Sequence, residues 1–85
     1  MAKIRHLKSG SVFDIEDVQV GGESSGRGPW LCSFFVHRGS DFTLGDRYTL
    51  CVDGQQYQVQ PIEGHARDTA RTQILAVVIE RLMLQ

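Results

Sequence analysis

Residues 45–61 carry the sharpest alternation of polar and apolar positions in the chain. Tyr48, Leu50 and Val52 alternate with Arg47, Thr49 and Cys51; Asp53-Gly54 follows; then Tyr57 and Val59 alternate with Gln56, Gln58 and Gln60. Asp-Gly between two such runs is a strong hairpin signal, because a type I′ turn needs φ > 0 at both central residues. A turn at Asp53-Gly54 sets Leu50 opposite Tyr57 and Tyr48 opposite Val59, with all four side chains on one face. Arg47, Thr49, Cys51, Gln56, Gln58 and Gln60 take the other face. A slip of one residue would mix the two sets.

The preceding chain reads as three further strands. Residues 2–8 form the first, and Ser9-Gly10-Ser11 is turn chemistry. Over residues 12–20 the alternation breaks: Phe13 and Ile15 share one parity, Val18 and Val20 the other, with Glu16-Asp17 at the switch. A bulge there restores one buried face; two short strands with a turn between them is the alternative. Residues 21–29 hold four glycines, are costly to order, and read as a mobile loop. In residues 30–37, Trp30, Cys32, Phe34 and Val36 share one face, and Leu31, Ser33, Phe35 and His37 the other. A strand apolar on both sides is expected to be central or covered on both faces. Gly39-Ser40-Asp41 then forms a corner. Antiparallel pairing of 30–36 with 46–52 places Val36 opposite Tyr48, Phe34 opposite Leu50 and Cys32 opposite Val52. Cys32 and Cys51 then point to opposite faces and cannot form a disulfide within one subunit.

Residues 64–85 fit two periods. Ile74-Leu75-Ala76-Val77-Val78-Ile79 could be a buried strand on β-propensity. Ile74, Leu75, Val78, Ile79 and Leu82 also form one helical stripe, with Thr72, Ala76, Glu80 and Met83 toward the opposite side. Asp68 or Thr69 could cap such a helix, and Arg81 suits its C-terminal end. The spacing favours a helix over residues 68–83 lying on the apolar face of the sheet. The expected fold is therefore α+β: one domain over residues 1–85, an antiparallel sheet of four to five strands with one C-terminal helix packed on one face.

Composition narrows the function. Eighty-five residues bury a limited fraction of their surface, so a partner or an oligomer is a natural support. A net charge of −1 argues against a strongly basic nucleic-acid module. Two cysteines without a Cys-x-x-Cys pair fit a reducing compartment. The basic start at residues 1–8 is followed by no apolar stretch of a secretory signal, and no run approaches the roughly 20 residues of a membrane span. The expectation is a soluble cytoplasmic protein with no membrane association.

No catalytic, cofactor or metal site emerges. The glycine spacing of residues 21–28 echoes a phosphate-binding loop, but Arg27-Gly28-Pro29 and a strand follow it, not Lys-Ser/Thr and a helix. His6, His37, His65, Cys32 and Cys51 lack the close ligand spacing of zinc sites. His37, Asp41 and Asp46 lie near one corner, without a nucleophile elbow. Phe35, His37, Arg38, Arg47 and Thr49 could offer a stacking face to a single strand, but the net acidity weighs against nucleic acid. Residue types that anchor interfaces, on the glycine-rich loop and the outward face of 30–37, make Arg27, Trp30, Leu31, Phe35, His37, Arg38 and Arg47 the candidate partner-binding set.

The run Leu44-Gly45-Asp46-Arg47-Tyr48-Thr49-Leu50, then Asp53-Gly54, then Tyr57-Gln58-Val59 resembles a pattern in head-completion and head–tail joining proteins of tailed phages. There a Gly-Asp leads a strand, an Asp-Gly turn follows and a Tyr-x-Val strand returns. The resemblance covers about 20 residues of the 85. It implies a β-rich, non-catalytic protein that assembles in rings through loops and sheet edges, in the host cytoplasm or the virion, with the 21–29 loop ordering against a neighbouring ring. The chain departs from the pattern in its shortness and its ending, since a final strand usually closes the barrel where the spacing here favours a helix. The expected function is a non-enzymatic assembly or interaction subunit, with a protein partner or further copies of itself and no cofactor. The alternative is a small monomeric binding module that inhibits or regulates a host protein or nucleic-acid complex.

Overall fold

The computed structural model describes residues 2–21 and 30–82. Six strands run through them: β1 (Ala2–His6), β2 (Val12–Val20), β3 (Trp30–His37), β4 (Tyr48–Val52), β5 (Gln55–Ala66) and β6 (Arg71–Leu82). They close into an antiparallel barrel in the order β1-β2-β3-β6-β5-β4, with β4 returning to β1. Among the described residues no helix is long and apolar enough to cross a membrane.

The barrel replaces the α+β arrangement that the spacing of residues 68–83 favours. That segment is the turn at Asp68 followed by β6, laddered to β3 on one side and β5 on the other. Ile74, Ala76 and Val78 point inward and are buried, while Leu75, Val77 and Ile79 face outward. Thr72, Ile74, Val77, Val78 and Ile79 are β-branched, which suits a pleated surface better than a helix. Two flanking strands supply the partners that turn this preference into structure.

The Asp53-Gly54 hairpin forms in the expected register, Leu50 opposite Tyr57 and Tyr48 opposite Val59. Asp53 and Gly54 hold φ of 50° and 77°, the left-handed pair a type I′ turn demands. The expected pairing of β3 with β4 does not form: β3 lies between β2 and β6, and β4 between β1 and β5, on opposite walls. The connection between them crosses the barrel mouth instead of turning tightly. Phe42 anchors it there, stacked on Tyr48 at 4.4 Å and edge-on to Phe34 at 5.9 Å.

Bulges bend three strands so that six can close. In β2 the register shifts between Glu16 and Gln19, and Asp17 sits at φ 51°. This is the parity switch visible in the sequence, and it keeps Ile15 buried with Val18 and Val20 packed on the core. In β5 the extra residue is Ile62, between the pairs Pro61–Ala76 and Glu63–Leu75; in β6 it is Ile79, between Val59–Val78 and Gln58–Glu80.

The interior is filled by side chains. Ile4, Phe34, Tyr48, Leu50 and Val59 are fully buried, and Ala76 supplies the small position among them. The Tyr48 hydroxyl accepts the Thr43 N–H at 2.9 Å, so this buried polar group has a partner. Burial raises the Tyr48 pKa above its ordinary value. Cys32 faces inward and Cys51 outward, and both thiols are free.

Burial also pushes the Cys32 thiol from 9.0 up to about 11. The unfolded chain therefore loses this proton at lower pH than the folded one. The stabilisation is whole below pH 9.0 and is lost as pH climbs toward about 11; its size is roughly 2–3 kcal/mol. Urea unfolding across this range should show wild type losing more stability than Cys32→Ala. Parallel losses would place the alkaline sensitivity elsewhere.

Candidate docking surface

The outer wall formed by β5, β6 and β3 carries an apolar stripe. Outward-facing Leu75 and Val77 of β6 are half-buried, and Val77 pairs across to Leu31 of β3. Leu31 is 42% exposed, Ile79 39% and Ile62 45%. Two of these three are the bulge residues, turned outward because the extra residue of a bulge has no place in the inward alternation. Scattered exposed aliphatics are ordinary; these lie together on adjoining strands of one wall.

Phe35 lies on the same outer face of β3 but has a lid. The Arg71 guanidinium sits 4.5 Å from its ring centroid. Three carboxylates hold that guanidinium: Asp17 at 3.1 Å, Glu16 at 3.4 Å and Asp68 at 3.5 Å. The left-handed backbone of Asp17 puts its carboxylate within reach. These bonds, the one to Asp17 first, raise the Arg71 pKa. Asp68 in turn accepts the backbone N–H groups of Ala70 and Arg71 at 2.8 and 2.7 Å, which lowers its own pKa. One aspartate thus closes the β5–β6 turn and steadies the cation over Phe35.

The structure disperses the partner-binding candidates. Leu31, Phe35 and His37 share the outer face of β3, with His37 exposed opposite Arg71. Arg38 lies at the end of that strand, its guanidinium 3.4 Å from the Asp68 carbonyl. Trp30 is half-buried against the core. Arg47 is exposed beside β1, where its carbonyl accepts the Leu7 N–H at 3.1 Å, on the wall opposite β3. Arg27, with almost all of the 21–29 loop, lies outside the described residues. Leu75 and Ile79 are missing from the sequence-derived set because the helical stripe places them against the sheet; Val77 and Ile62 carry no signal of their own without the ladders of β6.

The nearest approach to a catalytic constellation is also new. His6 Nε2 lies 2.8 Å from an Asp46 carboxylate oxygen, and its Nδ1 lies 2.7 Å from Ser9 Oγ. Serine, histidine and aspartate are the residue types of a hydrolytic triad. Two of the neighbouring amides are engaged within the turn, Gly10 N–H on the His6 carbonyl and Ser11 N–H on Ser9 Oγ. The contacts tie the β1–β2 turn to the start of β4, with the His6 ring 4.7 Å from that of Tyr48. His37 and Asp41, considered with Asp46 from sequence, do not join it. Among the described residues no three His, Cys, Asp or Glu side chains gather as a metal site.

Comparison with known proteins found no matching family model, no matching curated protein and no matching solved structure.

Arg71→Ala should remove the lid from Phe35 and leave three carboxylates without their cation. The urea midpoint should fall in dilute buffer, and the gap to wild type should narrow in about 1 M salt, where exposed charges are screened. A gap unchanged by salt would assign the effect to the ring contact alone.

Proposed function

We propose that this chain is a non-enzymatic assembly subunit that docks a protein partner on the apolar outer wall of β3 and β6, of the head-completion or head–tail joining kind, working in the host cytoplasm or the virion. The observation that carries this reading is the stripe of Leu31, Val77, Leu75, Ile62 and Ile79 across adjoining strands. A side-chain-filled interior supports it, since residues that line a ligand cavity in other small barrels are here used for packing. β6 supports it as well. The phage pattern usually ends in a strand that closes the barrel, and β6 is such a strand.

Aliphatic side chains on a rigid sheet lose little entropy on docking, and a wall already in its bound shape needs no ordering. At the end of the wall Arg71, Glu16, Asp17 and Asp68 are tied to one another, and beside Leu75 Glu63 is tied to His65. The partner expected is a protein with a complementary apolar face.

Co-expression with the products of neighbouring genes, followed by size-exclusion with light scattering, should yield a complex. Leu31→Lys combined with Val77→Lys should weaken it about tenfold or more, with the thermal midpoint within a few degrees of wild type. A double variant that assembles like wild type, or a wild-type chain that forms no complex, would contradict the reading.

A further inference from the structure

Barrel closure leaves one length of β-strand without a neighbour. β4 pairs with β5 only as far as Val59. Gly45 then donates its N–H to the Pro61 carbonyl at 2.8 Å, and Gln60 Nε2 reaches the Gly45 carbonyl at 2.9 Å. Beyond that point β5 continues to Ala66, laddered to β6 through Gly64–Ile74, His65–Gln73 and Ala66–Thr72. Among the described residues no backbone group meets residues 62–66 on their other side, and all five are exposed.

Such an edge is a template for another strand. We propose that two copies of this chain pair along it, antiparallel and centred on Gly64. In that register each Glu63 lies opposite the partner's His65, and each His65 opposite the partner's Glu63. Ile62 meets the partner's Ala66, and Gly64 meets the partner's Gly64 with no side chain between them. The neighbouring antiparallel registers set Glu63 against the partner's Glu63, or His65 against the partner's His65. Carboxylates directly opposite destabilise a strand pair, and of these registers only the one centred on Gly64 sets every Glu63 against an imidazole hydrogen-bonding partner, so it is the one the sequence selects. Glu63 and His65 already lie 2.9 Å apart on the outward side of their own strand, so a pairing of two such edges assembles four complementary groups.

The edge is held ready. The Arg67 N–H donates to the Arg71 carbonyl at 3.2 Å, Arg67 Nε to Gln73 Oε1 at 2.7 Å, and Asp68 closes the turn. Leu44, 46% exposed, stands beside the edge, and a groove of about 190 Å3 lined by Phe42, Leu44, Gly64 and Ile74 gives apolar contact to an added strand. Five residues of edge bury far less than a standard interface, so the dimer dissociates in the micromolar to millimolar range. The contact is isologous and closes at two copies; it takes up Ile62 at the margin of the apolar wall and leaves Leu31, Val77 and Ile79 open for a different partner.

Sedimentation of the full chain up to about 1 mM should show a monomer–dimer equilibrium. His65→Glu opposes two pairs of carboxylates and should weaken it about tenfold; Glu63→Lys added to His65→Glu restores opposite charges and should bring it back to within about threefold. In wild type, amide exchange over residues 62–66 should slow as concentration rises. A chain monomeric at every concentration, a dimer indifferent to His65→Glu, a double variant that stays monomeric, or exchange independent of concentration would overturn the proposal. None of these changes touches Leu31 or Val77, so loss of the dimer with retention of the partner complex separates this proposal from the assembly reading.

Discussion

The pairing of β6 on both of its edges is the constraint on which this structure depends. With β3 on one side and β5 on the other, residues 71–82 close a sheet that would otherwise end in two exposed strands. Closure gives Ile74, Ala76 and Val78 an interior to face, and it turns Leu75, Val77 and Ile79 into surface. The same pairing extends β5 past its last partner in β4, which creates the unpaired edge. Core, apolar wall and edge are three consequences of one strand's placement.

Bulges connect this geometry to the outer surface. A six-stranded barrel has tight curvature, and an extra residue in β2, β5 and β6 lets each strand bend. Each extra residue must point somewhere other than the core. In β2 it is Asp17, whose carboxylate holds Arg71 over Phe35. In β5 and β6 it is an isoleucine placed on the apolar wall. Residues needed for closure thereby furnish the surface on which recognition is proposed.

Local features were legible in the sequence wherever a single period governs a segment. The hairpin register followed from Asp53-Gly54 and the alternation on either side, and the β2 bulge from the parity switch at Glu16-Asp17. The two faces of β3 followed from simple alternation. The identity of β6 did not, because Ile74, Leu75, Val78 and Ile79 satisfy a helical stripe while Ile74, Ala76 and Val78 satisfy a strand. Its two partners, β5 across a short turn and β3 distant in sequence, decide between them. The pairing of β3 failed for a related reason: proximity in sequence suggested β4, but Phe42 packs into the barrel mouth and carries the chain across it. The wall residues and the His6–Asp46 contact were hidden with the topology, since each depends on which strands lie side by side.

Long-range proton contacts in solution test the placement of β6 most directly. The account predicts backbone nuclear Overhauser effects between Cys32 and Ala76 and between Pro61 and Ala76, which are facing pairs in the two ladders. Their absence, with medium-range contacts of helical type running through residues 72–80, would contradict it.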